Sequence, residues 1–174
     1  MWAMKIGVIA LIGAVISVSL AAVLPAQITG AGYGVPSLVG EVTIRTAAGR
    51  ESYVFKQGER IHFELTVRNL EDGAVKVVYA SGATSSFVVV SENVDAVIWS
   101  ADRGRMFTQM VREREIAPRA IEKHSASWNQ RYEDVNGKAL SLVQPGVYRV
   151  IAESLGCLAI SGQCVSVIKT FRIE

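Results

Sequence analysis

The sequence has few of the side chains on which catalysis and metal binding depend. Its 174 residues include two histidines, His62 and His124, and two cysteines, Cys157 and Cys164. It has no nucleophile elbow, no His-Glu-x-x-His zinc motif and no glycine-rich loop suited to cradling a phosphate. His62 and Glu64 share one strand face, but two residues are too few for a metal site. We therefore predict that the chain is not an enzyme and has no catalytic residues, metal site or cofactor.

A strong charge of either sign is also missing. The 18 basic and 16 acidic residues leave a formal net charge of +2. Proteins that bind nucleic acids usually carry a marked basic excess on one face, so we expect no nucleic-acid partner. The sequence contains no internal repeat and no low-complexity tract, and no helical pattern is credible after residue 26. Such a chain is long enough for one domain with a real core.

One long apolar run is present, at the N-terminus. Residues 6–24 are apolar apart from two glycines and two serines, and one positive charge, Lys5, precedes them. The length lies between that of a signal-peptide core and that of a minimal membrane span, so both interpretations stay open. A signal peptide cut after Ala22 or Ala26 gives a secreted protein, whereas an uncleaved anchor attaches the chain to the membrane. In either case residues 1–26 are an export segment, and we expect an extracytoplasmic location.

The rest of the chain divides into a spacer and a domain. Residues 27–38 carry no charge and three glycines, which is typical of a flexible spacer. Residues 39–174 predict an antiparallel β-sandwich of eight to ten short strands. The clearest strand covers residues 61–69, where apolar and polar side chains alternate as in a strand that is buried on one face. The other predicted strands cover residues 39–46, 52–55, 74–79, 86–90, 94–100, 108–116, 124–130, 147–155 and 165–173.

The strand at 108–116 has an unusual charge pattern. Two arginines, Arg112 and Arg114, fall on one face and two glutamates, Glu113 and Glu115, on the other. A strand that is charged on both faces belongs at the edge of a sheet, where its charges also discourage association with other edges. We therefore place this strand at an edge.

The two cysteines stand between the last two predicted strands. A disulfide between Cys157 and Cys164 would close that hairpin at its loop end, where paired strands come within bridging range. The alternatives are two reduced thiols or half of a metal site, and no histidine or further cysteine lies nearby to complete a metal set. We favour the disulfide, which agrees with export.

Several short sequence pieces between Phe63 and Ala152 resemble the BsuPI family, the intracellular proteinase inhibitor domain, in their order and spacing. The pieces are Phe63-Glu-Leu-Thr-Val-Arg-Asn69, Ser81-Gly82, Phe87-Val-Val89, Trp99-Ser100, Phe107-Thr-Gln109, Ala117-Pro118, Trp128 and Pro145-Gly-Val-Tyr148. The resemblance covers about residues 61–153. It implies an immunoglobulin-like sandwich and, as in the founding members, inhibition of serine proteases. The large rings of these pieces are expected to fill the core: Phe63, Phe87, Trp99, Phe107, Trp128 and Tyr148.

Two function hypotheses follow. An inhibitor must present either an exposed segment in a rigid, substrate-like form or a surface that blocks the active cleft. Arginines in such a segment suit a specificity pocket with an acidic floor. The candidate contacts are Arg103, Gly104, Arg105 and Met106 in one polar loop, and Arg119 directly after Pro118. The second hypothesis is a structural or adhesion subunit of the cell surface. Its arm, residues 33–44, would add a strand to the open sheet edge of another copy of the chain.

Overall fold

Residues 37–174 are described by a computed structural model of the chain, and every regular element in them is a strand. The all-β fold class is thereby confirmed. No helix between residues 37 and 174 has the length and apolar character needed to cross a membrane. The predicted N-terminal apolar helix, the export segment 1–26 and the spacer up to residue 36 lie outside the described residues.

Residues 37–174 contain thirteen strands. They are β1 (Leu38–Thr46), β2 (Val54–Phe55), β3 (Ile61–Asn69), β4 (Val75–Tyr79), β5 (Ser85–Ser91), β6 (Ala96–Ser100), β7 (Arg112–Ile116), β8 (Ile121–Trp128), β9 (Arg131–Glu133), β10 (Ala139–Leu142), β11 (Gly146–Ser154), β12 (Gly156–Leu158) and β13 (Ser166–Ile173). The number exceeds the predicted eight to ten because β9, β10 and β12 are short strands in segments to which no strand was assigned.

Two sheets face each other across a core of aromatic rings. One has the strand order β1-β3-β8, and the other has the order β2-β13-β11-β5-β6. Phe63 of β3 bridges the gap, since its ring centroid lies 6.5 Å from that of Phe87, 6.0 Å from that of Trp99 and 5.8 Å from that of Phe171. These three partners lie on β5, β6 and β13 of the five-stranded sheet, so the domain is a β-sandwich.

The alternation predicted for residues 61–69 is confirmed. Ile61, Phe63, Leu65 and Val67 are all fully buried, while the residues between them reach the surface. Burying each such side chain stabilises the fold by roughly 1.5–3 kcal/mol. β3 is the central strand of its sheet and is paired with β1 and β8 over its whole length, so its inner face anchors one wall of the core.

The sandwich is not wholly antiparallel. β2 pairs with β13 in parallel, through Val54 opposite Arg172 and Phe55 opposite Ile173. β2 has two residues and enters the sheet beside the C-terminal strand, where the buried ring of Phe55 lies 6.0 Å from that of Phe171. The prediction of an entirely antiparallel sandwich was wrong at this edge, because burial of Phe55 decides where the short strand joins.

A third sheet has the order β12-β4-β7 and holds the charged strand at its edge. Among residues 37–174, β7 pairs only with β4, which confirms the predicted edge position. The strand begins at Arg112 and not at Thr108, however, and residues 105–111 form an irregular connection. Phe107 lies in this connection and is half-buried, so its predicted place among the core rings was wrong.

The structure contains the Cys157–Cys164 disulfide, with 4.2 Å between the two Cα atoms. It closes the loop between β11 and β13. This loop is more than a hairpin end, because β12 lies within it and pairs with β4. Gly156 makes the pairing possible, since a Cβ there would come within 2.6 Å of the Tyr79 ring. The disulfide thus fastens the third sheet to the last hairpin.

Candidate functional site

The connection from β6 to β7 exposes several large apolar side chains to solvent. Its last seven residues, 105–111, are called the exposed segment below, and they contain no turn and no ladder pairing. Met106 is 99% exposed, Met110 56% and Val111 69%. Burial drives most large apolar side chains inward, so three such side chains in one short segment mark it as a candidate contact surface.

The N-terminal end of the exposed segment is fixed against the loop between β9 and β10. The Arg103 guanidinium donates a hydrogen bond of 2.8 Å to the Glu133 carbonyl oxygen. Gly104 and Gly137 face each other with φ of +73° and +80°, and a Cβ on Gly137 would lie 2.6 Å from the Arg103 carbonyl oxygen. The close approach therefore requires glycine on this side. Gly104 is thus a turn residue whose backbone lies against the loop between β9 and β10.

The middle of the exposed segment is fixed at Thr108. The Gly82 backbone N–H donates a hydrogen bond of 2.8 Å to the Thr108 carbonyl oxygen. A Cβ on Gly82 would lie 2.5 Å from Thr108 Oγ1 and 3.3 Å from the Thr108 nitrogen, so any larger residue would displace the segment. Two family-like pieces, Ser81-Gly82 and Phe107-Thr-Gln109, thus meet in space. Their contact fixes the backbone of the exposed segment at Thr108.

The C-terminal end of the exposed segment is fixed at Arg112, the first residue of β7. Arg112 pairs with Tyr79 in the ladder with β4, and its guanidinium lies 5.4 Å from the centre of the Tyr79 ring. Such a cation–π contact stabilises by about 0.5–2 kcal/mol. The same guanidinium donates a 3.4 Å hydrogen bond to the Gly82 carbonyl oxygen. Gly82 therefore contacts both the middle and the end of the segment.

The side chains of the exposed segment fall on two sides. The Arg105 guanidinium lies over the Phe107 ring at 5.2 Å, and Phe107 is half-buried. Met106, between them, is almost fully exposed. It stands two residues after the packed Gly104 and two residues before the bonded Thr108. Met106 is therefore a projecting side chain on a backbone that is held on both sides.

The candidate contacts predicted from the sequence are not equivalent in the structure. Arg103 is engaged with the Glu133 carbonyl group, whereas Arg105 and Met106 are exposed. Arg119 lies at the other end of β7, in the turn to β8, so it is separated from the first loop by the whole strand. Its guanidinium donates two hydrogen bonds, of 2.9 Å and 2.7 Å, to Asp72. Arg119 thus joins two neighbouring turns.

The residues at the far end of the exposed segment were not among the predicted contacts. Met110 and Val111 were assigned to a strand, and Phe107 to the core. The available signal was the absence of alternation between residues 105 and 111, together with the absence of charge between Arg105 and Arg112. An apolar residue in an unpaired stretch cannot be told from a strand residue by composition alone.

The polar face of β3 shows local pairing. The Glu64 carboxylate lies 3.3 Å from the Arg45 guanidinium and 3.1 Å from the Lys123 ammonium group. The hydrogen bond from Lys123 is the main reason why the pKa of Glu64 is lowered. His62 Nδ1 lies 2.7 Å from Ser127 Oγ. In residues 37–174, no three histidine, cysteine, aspartate or glutamate side chains are grouped so as to hold a metal ion.

A partly buried polar cluster lies where the edge strands β7 and β8 approach each other. Glu122 and His124 stand opposite the buried Val67 and Leu65 of β3, and therefore face inward. The Arg114 guanidinium forms an ion pair with Glu122. Burial lowers the pKa of His124, and the positive charge of Arg114 lowers it further. Inward charges at two strand edges discourage the addition of another strand there.

The domain is a β-sandwich that presents an exposed apolar segment with a fixed backbone. The family model described as intracellular proteinase inhibitor, BsuPI, matches residues 49–156, which is more than half of the chain. The chain belongs to this family. The match includes the whole exposed segment and ends one residue before Cys157. Proteinase inhibitors act by binding, which agrees with the prediction that the chain is not an enzyme.

No curated protein matches the chain. Among solved structures, a β-glucosidase of Erythrobacter marinus has 12% identity and a TM-score of 0.40, and the match covers 78% of this chain and 15% of that one. A β-glucuronidase of Bacteroides uniformis has 8% identity, 78% and 14% coverage and a TM-score of 0.42. An alkylpurine DNA glycosylase of Pseudomonas fluorescens, bound to DNA, has 11% identity, 79% and 30% coverage and a TM-score of 0.43. The chain therefore spans only a small part of these proteins, and such low scores carry no argument about function.

Proposed function

We propose that this protein is an extracytoplasmic inhibitor of a serine protease, and that the exposed segment, residues 105–111, is the part that occupies the cleft of the protease. The observation that carries the proposal is the position of Met106. Its side chain is 99% exposed on a backbone held at Gly104 and Thr108. An inhibitor gains affinity when its contact segment is already held in one conformation, because little conformational entropy remains to be lost on binding.

Met106, not an arginine, is the residue we expect to enter the specificity pocket. Arg105 lies over the Phe107 ring, so its charge is directed along the segment and partly engaged. Met106 has a long, uncharged and flexible side chain, which fits apolar pockets of varied shape. The partner class is therefore a serine protease whose pocket accepts a large uncharged side chain.

The extracytoplasmic location is supported by the Cys157–Cys164 disulfide. Disulfides form and persist mainly in oxidising compartments outside the cytoplasm. The uncharged run of residues 6–24 supports export independently of the disulfide. Its cleavage would give a secreted inhibitor, and its retention would give one tethered to the membrane.

The test is inhibition of a panel of serine proteases of different pocket specificities by the full chain and two matched variants. Met106→Asp places a charge at the proposed contact, and Ile160→Asp places the same charge on an equally exposed side chain in the disulfide loop. We expect Met106→Asp to weaken inhibition at least about tenfold, equivalent to ~1.4 kcal/mol, and Ile160→Asp to leave it unchanged. Equal inhibition by both variants would remove the exposed segment from the mechanism.

A gain-of-function variant tests the pocket assignment. Met106→Arg keeps the long unbranched side chain and adds the charge that an acid-floored pocket binds. We expect inhibition to shift from proteases with apolar pockets to arginine-directed proteases. If Arg105→Ala abolishes inhibition of the native target while Met106→Arg has no effect, Arg105 and not Met106 is the residue that enters the specificity pocket.

A further inference from the structure

The structure describes two methionines, Met106 and Met110, and both lie in the exposed segment. Oxidation of a thioether depends on how easily an oxidant reaches the sulfur. Met106 is 99% exposed and Met110 56%. Residues 37–174 contain no buried methionine, so oxidation of methionine in this part of the chain changes the candidate contact surface and leaves the core composition unchanged.

We infer that Met106 is an oxidation site at which peroxides switch off the binding surface of the exposed segment. This inference rests on the proposed function. In the step, the thioether sulfur attacks one oxygen of hydrogen peroxide. The O–O bond breaks, an S–O bond forms, and the second oxygen leaves as water after proton transfer. Sulfur is oxidised and the peroxide is reduced, so the only co-reactant is the peroxide itself.

The product changes the chemistry of the contact. Methionine sulfoxide is polar and chiral, whereas the thioether is apolar and flexible. A sulfoxide oxygen that enters an apolar pocket loses its hydrogen bonds with water and finds no replacement there. The oxidised Met106 is therefore a poor occupant of the pocket that the thioether fits.

The backbone of the exposed segment does not depend on the Met106 side chain. Its anchors are the Arg103–Glu133 hydrogen bond, the Gly82–Thr108 hydrogen bond and the Arg112–Tyr79 contact. Oxidation should accordingly change affinity while the fold and its stability remain. Methionine sulfoxide is also reducible by dedicated reductases, so the change is reversible.

The experiment treats the full chain with hydrogen peroxide and follows each methionine by peptide mass spectrometry. Inhibition of the target protease and the midpoint of unfolding are measured on the same samples. We expect Met106 to oxidise before Met110, inhibition to fall at least about tenfold, and the unfolding midpoint to stay constant. Treatment with methionine sulfoxide reductase should restore inhibition.

Two variants assign the effect. Met106→Leu removes the oxidisable sulfur but keeps an apolar side chain, and should inhibit equally before and after peroxide. Met110→Leu keeps the oxidisable Met106, so peroxide treatment should lower its inhibition as it lowers that of the native chain. Full inhibition by protein whose Met106 is oxidised would overturn the inference, and so would loss of inhibition by oxidised Met106→Leu. If the untreated chain inhibits no protease, the proposed function itself fails, while the order of oxidation still decides whether Met106 is the preferred site.

Discussion

The ring cluster between the two sheets and the exposed segment are both rich in large apolar residues, but they use them in opposite ways. In the cluster, the rings of Trp99, Trp128 and Tyr148 lie about 6 Å apart and are almost wholly buried. In the exposed segment, Met106 and Met110 face solvent. The cluster is held by contacts among its own side chains, whereas the exposed segment is held by the Gly82–Thr108 backbone hydrogen bond and by the flanking Arg103 and Arg112 side chains.

The difference separates stability from recognition. A buried ring contributes through the apolar area that it removes from water and through its fit with neighbouring rings. An exposed side chain contributes nothing comparable to folding and remains available for a partner. Anchors at Gly104, Thr108 and Arg112 hold the exposed segment without using its exposed apolar side chains for that purpose.

Removal of a ring from the cluster should have the largest effect. Trp128→Ala should destabilise the domain by about 3–5 kcal/mol, because a large cavity forms between the sheets. The indole N–H also donates to the Arg131 carbonyl oxygen at 2.9 Å, and that acceptor would lose its partner. Denaturant unfolding measures the change, and Met106→Ala is the control, expected within about 0.5 kcal/mol of the native chain. If the two variants changed the free energy of unfolding by similar amounts, the ring cluster and the exposed segment would not differ in their contribution to stability.

Disturbance of a backbone anchor should have an intermediate effect. Gly82→Ala brings a Cβ to 2.5 Å from Thr108 Oγ1, so the exposed segment must shift, at a cost of about 1–3 kcal/mol in stability. Inhibition should weaken along with the shift. The control is Gly73→Ala, where a Cβ meets nothing within 4 Å. Full inhibition by Gly82→Ala would mean that the anchor at Thr108 is not needed for binding.

The smallest expected effect is a pH dependence of stability at the margin of the core. Burial, aided by the Arg114 charge, lowers the pKa of His124 below its ordinary value of 6.5. The unfolded chain therefore binds a proton first as the pH falls. Stability should decline from pH 6.5 down to the folded-state pKa and then level off with respect to this group. Unfolding measured between pH 8 and pH 5 on the native chain and on His124→Gln tests the sign.

The control for the pH experiment is the other histidine. His62→Gln removes a histidine that lies on the polar face of β3, beside Ser127. If the native decline disappears in His62→Gln and persists in His124→Gln, the partly buried polar cluster is not its source. The exposed segment contains no histidine and no carboxylate, so the pH effect should reach inhibition only through stability.

Much of the fold could be predicted from the sequence. The alternation at residues 61–69 and the edge position of β7 each follow from a local pattern, and both predictions were confirmed. The three short strands were missed because β9, β10 and β12 have no alternating face of their own. They exist because a neighbouring strand offers hydrogen bonds, as β4 does for β12.

Less of the candidate site could be predicted. In the polar loop that the sequence singles out, Gly104, Arg105 and Met106 are exposed, but the roles of its residues could not be separated from the sequence. Arg103 is an anchor because Glu133 lies beside it, and Gly104 is packed because Gly137 lies opposite. Both partners are about thirty residues distant in the sequence, beyond the reach of any local pattern.

The sequence by itself determined the fold class, the one-sided burial of β3, the edge position of β7 and membership of a proteinase-inhibitor family, because periodicity and ordered short pieces are written along the chain. Only the tertiary structure decided that Phe107 lies outside the core, that Gly82 donates a backbone hydrogen bond to Thr108 and that the Met106 side chain is exposed. The physical reason is that exposure and anchoring depend on which distant segments meet, and in an all-β domain most contacts join residues far apart in the chain.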